Sequence, residues 1–179
     1  DQLLATAIRT GRSLTVDLEM MVSPFAGRIR EVLDSGTYGA VRRIEFIHHR
    51  GCWLEAGSGM WRVRPEDSGG HFFMEPIHAV DMLRYFAGES QAVQTFAGPN
   101  VLSQYQFPDN LCCHLAFESG VAATLLISHT LSAWLPYKEQ SPDRMLGLGH
   151  DMTMNFTLDR ASVQVDFIRA RITINPIEE

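Results

Sequence analysis

The sequence predicts an α+β fold in which a β-α-β-α portion packs on a mostly antiparallel open sheet. Three features carry this expectation. The first half alternates strand-like and helix-like segments punctuated by Gly and Pro, and the second half strings together short strand-like runs separated by Gly, Pro, Asn or Asp turns. The third is the run Val121 to Leu131, apolar on both alternating sets, with Val121, Ala123, Leu125 and Ile127 on one face and Ala122 and Leu126 on the other. Such a strand asks for cover on both sides. A chain of 179 residues is long enough for one domain with its own core, spanning residues 1–179.

Each element follows from local pattern. Residues 1–10 place Leu3, Leu4, Ala7 and Ile8 on one helical face, with Gly11 as a cap. Ser13 to Val22 is apolar and partly β-branched, which predicts a strand. Ser23-Pro24 then supplies an N-cap and a first-turn proline for a helix carrying Phe25, Ile29, Val32 and Leu33, ended by Ser35-Gly36. After the turn at Gly39, residues 40–48 alternate Val41, Ile44 and Phe46 with polar neighbours, as a strand does. Residues 51–70 lack a period and are rich in Gly, Pro, Glu and Trp, which predicts a loop forming one wall of a pocket. Residues 71–86 favour a helix closing at Gly88, with Pro76 in its first turn or kinking it. Strands are expected over residues 92–97, 111–117, 121–131, 152–158, 162–168 and 171–174.

Composition narrows the function. A formal net charge of −6 with no Lys/Arg stripe argues against nucleic acid, whose affinity rests on cationic contacts. No stretch approaches the ~18 uninterrupted apolar residues of a membrane span. Cys52, Cys112 and Cys113 make an odd count with two adjacent, a poor disulfide framework that fits a reducing, cytoplasmic setting. The chain opens at Asp1 directly in helix-like sequence, which is expected of a boundary inside a longer chain.

The segment Trp61-Arg62-Val63-Arg64-Pro65-Glu66-Asp67-Ser68-Gly69-Gly70, followed by His78 and Asp81, is the most informative stretch. Gly69 and Gly70 let backbone approach a ligand closely and leave N–H groups aimed at it. Trp61 and Arg64 flank the same wall, and His48, His49 and Arg50 end a strand beside it, suited to a polar, hydroxylated substrate. The imidazole of His78, on a helix at the edge of this pocket, is suited to shuttling a proton. The competing readings are a satisfied structural histidine for His78, an Asp81–Arg84 ion pair at i+3, and core aromatics for Trp53 and Trp61. No metal site is expected: neither His48, His49 and Cys52 nor Cys112, Cys113 and His114 contains a C-x₂-C pair, and on a strand Cys113 points away from Cys112 and His114. Gly57-Ser58-Gly59 and Gly147-Leu148-Gly149 fail as dinucleotide fingerprints.

The order Trp61, Pro65, Gly69-Gly70, His78, Asp81 resembles the C-terminal domain of the glucose-fructose oxidoreductase, inositol dehydrogenase and rhizopine-catabolism (Gfo/Idh/MocA) family. Val22-Ser23-Pro24-Phe25, Ile29-Arg30, Leu33-Asp34-Ser35-Gly36 and Gly39-Ala40-Val41 resemble the family's Pro-started helix and the turn into its next strand. The resemblance implies the substrate-binding and oligomerisation half of an NAD(P)-dependent oxidoreductase acting on a sugar, polyol or related hydroxy compound. It makes His78 the catalytic residue of this half, with substrate contacts at His48, His49, Trp61, Arg64, Gly69, Gly70, Glu75 and Asp81. It places NAD or NADP in a Rossmann domain of the same parent chain, reached through the helix in residues 1–12, with none held by this fragment, which is then inactive alone. It also implies homo-oligomers through the sheet face. Met74 stands where the family has a carboxylate four residues before the histidine, and Glu75 is offset from it by about 100° around the helix. Met20 and Met21 stand where the family often has an arginine. The alternative is a catalytically silent sugar-binding or assembly module on the same scaffold.

Overall fold

The computed structural model describes residues 2–50, 60–70, 76–130 and 150–177. Its elements are α1 (Gln2–Thr10), α2 (Pro24–Asp34), β1 (Val41–Arg50), a 3₁₀ turn (Met60–Val63), α3 (Pro65–Ser68), α4 (Pro76–Ala87), β2 (Ser90–Ala97), β3 (Asn110–Phe117), β4 (Ala122–Ser128), β5 (His150–Leu158), β6 (Ala161–Asp166) and β7 (Arg171–Pro176). The strands form one open sheet in the order β2-β3-β4-β1-β5-β6-β7. Two antiparallel meanders, β2-β3-β4 and β5-β6-β7, flank β1, and the only parallel seam among these strands joins β1 to β4 with Phe46 beside Leu125. The architecture is the expected α+β open sheet.

Alternation along the strands sorts side chains into two faces. Ile44 and Phe46 of β1, Leu125 of β4, Met154 and Phe156 of β5 and Val163 of β6 are buried on one of them. Helices α2 and α4 cover that face with Ala26, Ile29 and Leu33 and with Ala79, Met82, Leu83 and Phe86. Phe86 meets Phe156 edge-on with centroids 5.2 Å apart, while Phe167 sits 5.8 Å from Phe46 and 5.7 Å from Phe25. Each large side chain so buried contributes about 1.5–3 kcal/mol, and this helix-covered face is the core. The opposite face carries the row Phe96, Cys112, Leu126, Ile47 across four adjacent strands and then Thr153.

Capping fixes the helices as the sequence predicts. Ser23 Oγ accepts from the Ala26 N–H at 3.1 Å with Pro24 opening α2, and the Gly88 N–H closes α4 on the Arg84 carbonyl at 2.8 Å. Gly39 takes φ 80°, and a Cβ there would lie 2.6 Å from Asp159 Cβ, so glycine is required where β1 meets the β5–β6 turn. Asp159 accepts from the Ala40 N–H at 2.8 Å and from Arg42 Nε, which locks that corner.

One expected element does not form. Residues 13–22 join no sheet, and Leu14, Val16 and Val22 are 52%, 69% and 75% exposed. An apolar run becomes a strand only when a neighbour supplies backbone partners, and among the described residues no strand runs beside it. Helix α1 likewise buries none of its residues. The expected loop over residues 51–70 contains, in its described part, the 3₁₀ turn and the short helix α3. Residues 71–75, the expected start of the second helix, lie outside the described residues.

Candidate functional site

His78 sits in the first turns of α4, whose buried stripe of Pro76, Ala79, Met82, Leu83 and Phe86 faces the sheet. The histidine lies beside that stripe, with 24% of its side chain accessible. Its Nδ1 is buried and has no hydrogen-bond partner among the described residues, so the accessible ring edge is the one carrying Nε2. The nearest carboxylate is Glu19, whose Oε2 lies 3.6 Å from Nδ1. Asp81, three residues along the helix, buries Oδ2 without a partner among the described residues. The Asp81–Arg84 ion pair does not form: Arg84 makes two hydrogen bonds to Glu89, Nε at 3.1 Å, because Glu89 follows the helix end where the long guanidinium reaches it.

A second grouping lies at the carboxyl ends of the parallel pair β1 and β4, where open sheets with parallel strands commonly bind ligands. His48 and Arg50 point to the helix-covered face, 5% and 3% exposed, and His48 stacks on Phe46 at 6.3 Å. Burial pulls the Arg50 guanidinium down to about 9, with nearby Tyr105 opposing and nearby Arg62 adding to the shift. Tyr105 Oη lies 3.4 Å from Nδ1 of the buried His129, which follows β4. The 3₁₀ turn docks here: Val63 packs with Tyr105 and Phe107, the Gln106 N–H donates to the Val63 carbonyl at 3.1 Å, and Arg62 stacks over Trp61 at 4.5 Å. Buried arginine, tyrosine and histidine side chains suit a polar, oxygen-rich ligand better than an apolar one.

The structure separates some of the predicted site residues. His49 points opposite to His48 and lines a groove on the open sheet face with Phe96, Cys112 and Leu126, so the two adjacent histidines cannot share a pocket. Arg64 pairs with Asp67 at 3.5 Å. The Gly69 N–H donates to the Pro65 carbonyl at 2.8 Å and the Gly70 N–H to Ser68 Oγ at 3.2 Å. Those amides are therefore occupied rather than aimed at a ligand, because the glycines terminate α3 in left-handed geometry. Trp61 is 42% exposed, with one face of its ring already covered by Arg62. Glu75, like Met74 and Cys52, lies outside the described residues. Cys112 Sγ is 3.6 Å from His114 Nε2, whereas Cys113 is buried on the other face, where burial raises its thiol. Among the described residues no three or more His, Cys, Asp or Glu gather as metal ligands.

The first turn of α2 is capped by Ser23 and opened by proline, and the Gly69 and Gly70 amides are taken, so neither place offers a glycine cradle for a phosphate. No described helix is long and apolar enough to cross a membrane.

Sequence reasoning missed Glu19, Arg62, Tyr105 and His129. Pro108-Asp109-Asn110 signalled a tight turn near Tyr105, but nothing local signalled its approach to His129, and nothing at all paired Glu19 with His78.

Residues 27–140 match the model of the family described as GFO/IDH/MocA C-terminal domain. No curated protein matches the chain. Among solved structures, the WlbA dehydrogenase from Bordetella pertussis in complex with NADH and UDP-GlcNAcA is similar at 14% identity and TM-score 0.75, over 99% of this chain and 51% of that one. An inositol dehydrogenase homolog from Azotobacter vinelandii complexed with NADH and myo-inositol is similar at 15% identity and TM-score 0.73, over 99% and 44%. An NAD binding oxidoreductase from Klebsiella pneumoniae is similar at 15% identity and TM-score 0.73, over 99% and 47%. The chain thus spans about half the length of each of these proteins.

Proposed function

This chain belongs to the GFO/IDH/MocA C-terminal domain family, and on that premise we propose that it forms the substrate-side half of an NAD(P)-dependent oxidoreductase acting on a sugar, polyol or related hydroxy compound. The observation that carries the reading is His78: a half-buried imidazole with Nδ1 turned inward beside a carboxylate and its other edge accessible. Neutral imidazole held in this way offers Nε2 to a substrate hydroxyl and takes its proton as the carbon is oxidised. The hydride acceptor is a nicotinamide dinucleotide supplied by a nucleotide-binding domain of the same parent chain, and this fragment alone is inactive. The exposed apolar side chains of α1 and of residues 14–22 suit contact with that domain. Trp61, His48, Arg50, Tyr105 and Asp81 are the proposed substrate contacts, with Arg64 and the Gly69-Gly70 backbone shaping the wall. Neighbours whose names include NADH with UDP-GlcNAcA or myo-inositol support this substrate class.

The open sheet face supports the oligomerisation role, since Phe96 is 54% exposed at one end of the apolar row through Leu126 and Ile47. The test is hydride transfer by the full-length parent chain with NAD and with NADP across a sugar and polyol panel, beside His78→Ala. Loss of at least about a hundredfold in kcat supports the proton-shuttle role, whose usual worth is about 10²–10⁴. Sugar binding without turnover under either cofactor replaces this reading by that of a silent binding module.

A further inference from the structure

We propose that Glu19 is the positioning residue for His78, supplying from a separate segment the carboxylate that fixes the imidazole's tautomer and ring angle. The inference rests on the proton-shuttle reading of His78 for its consequence in catalysis, but its geometry stands independently. An imidazole acting as base at Nε2 must carry its proton on Nδ1, and an acceptor at Nδ1 is what selects that tautomer. Within the described residues the partner nearest to Nδ1 is Glu19 Oε2, at 3.6 Å. That separation is just outside hydrogen-bonding reach, and closing it needs about half an ångström, a movement of the kind by which such bonds tighten when substrate enters.

The segment carrying Glu19 is anchored although it belongs to no regular element. Met20 and Met21 pack against the core immediately after it. The Met20 carbonyl accepts from both the Ser23 N–H at 3.3 Å and Ser23 Oγ at 2.7 Å, and the same Ser23 Oγ caps α2 through the Ala26 N–H. Glu19 is therefore held at the start of a tight turn that is fixed to the first turn of α2, while its side chain, 62% accessible, reaches the first turns of α4. The two methionines thereby gain a role as the clamp that presents Glu19. A carboxylate on this side also explains how the imidazole is orientated when position 74 is methionine.

The test uses the full-length parent chain labelled with ¹⁵N-histidine, with the His78 signals identified by their loss in His78→Ala. The expected result is a His78 ring protonated at Nδ1 in the wild type and shifted towards the other tautomer in Glu19→Ala. In the same variant kcat falls about 10- to 100-fold at nearly unchanged KM, the scale by which loss of the outer carboxylate partner lowers activity at metal-bound histidines. Glu19→Gln, whose amide oxygen still accepts from Nδ1–H, recovers most of the loss. An unaltered tautomer and unaltered kcat in Glu19→Ala, with activity still abolished in His78→Ala, overturn the role of Glu19 and leave the His78 reading standing. A tautomer change in Glu19→Ala with full activity in His78→Ala upholds the positioning contact and overturns the catalytic reading instead.

Discussion

Asp109 is fully buried, and its replacement by alanine is expected to cost a large part of the stability of the fold. Its Oδ2 accepts from the backbone N–H groups of Val101 and Leu102 at 2.8 and 2.7 Å, and its Oδ1 from Asn110 Nδ2 at 2.7 Å. Asn100 completes the arrangement, donating to the Tyr105 and Phe107 carbonyls at 3.0 and 2.9 Å and accepting from the Asp109 N–H. The carboxylate therefore holds the turn that presses Tyr105 and Phe107 onto Val63. Hydrogen bonds to a charged group contribute about 1.5–3 kcal/mol each, and alanine strands two backbone donors. Allowing for relaxation that admits water, Asp109→Ala should lose on the order of 3–5 kcal/mol, against a total of roughly 5–15 kcal/mol for an ordinary domain. Urea unfolding should show the midpoint falling by about 1 M or more at an unchanged slope. Asp109→Asn should fall between, because an amide that keeps its oxygen towards Val101 and Leu102 sets its NH₂ against Asn110 Nδ2. A loss under about 0.5 kcal/mol for the alanine variant, the scale of an ordinary surface change, would refute the reasoning.

Two further outcomes follow from the sheet. The Arg42 guanidinium, with the Ala40 N–H, holds the Asp159 carboxyl below its ordinary value, so its contribution is present above about pH 4 and is lost as pH falls through the lowered folded-state value. The difference in Tm between wild type and Asp159→Asn should accordingly be largest near neutrality and shrink towards pH 2; a pH-independent difference would show that the charge plays no part. If the open face joins subunits, Leu126→Lys, which places a charge midway along the Phe96-to-Ile47 row, should reduce the mass measured by light scattering while far-UV circular dichroism is retained; an unchanged oligomer would move the interface elsewhere.

The sheet and the two core helices were legible because they depend on signals within a few residues. Ser23-Pro24 marked the start of α2, Gly88 the end of α4, and alternation through Ile44 and Phe46 the buried face of β1. Residues 13–22 had the composition of a strand without the neighbour, and strand formation is a property of a pair. The parallel pairing of β1 with β4 was equally out of reach, since their registry, Ile44 with Ala123 and Ile47 with Leu126, joins residues separated by two intervening strands in the chain.

Site geometry was legible only where one periodicity governed it. Placement of His78 near the start of a helix followed from the pattern of α4, and that pattern also put Asp81 on the same side one turn on. Adjacent residues on a strand diverge, so grouping His48 with His49 failed once β1 extended through Arg50, whereas the same alternation delivered His48 and Arg50 together to the covered face. What no local rule supplies is the meeting of elements: Arg50 with Tyr105 and Arg62, Tyr105 with His129, and Glu19 with His78. Under the proposed role of His78, the last would let a site dispense with a carboxylate at position 74. A helix offers only a few positions facing a given ring nitrogen, but a turn clamped by two partly buried methionines and the helix-capping Ser23 can bring a carboxylate to the same atom from outside the helix, so a carboxylate partner need not be encoded beside the histidine.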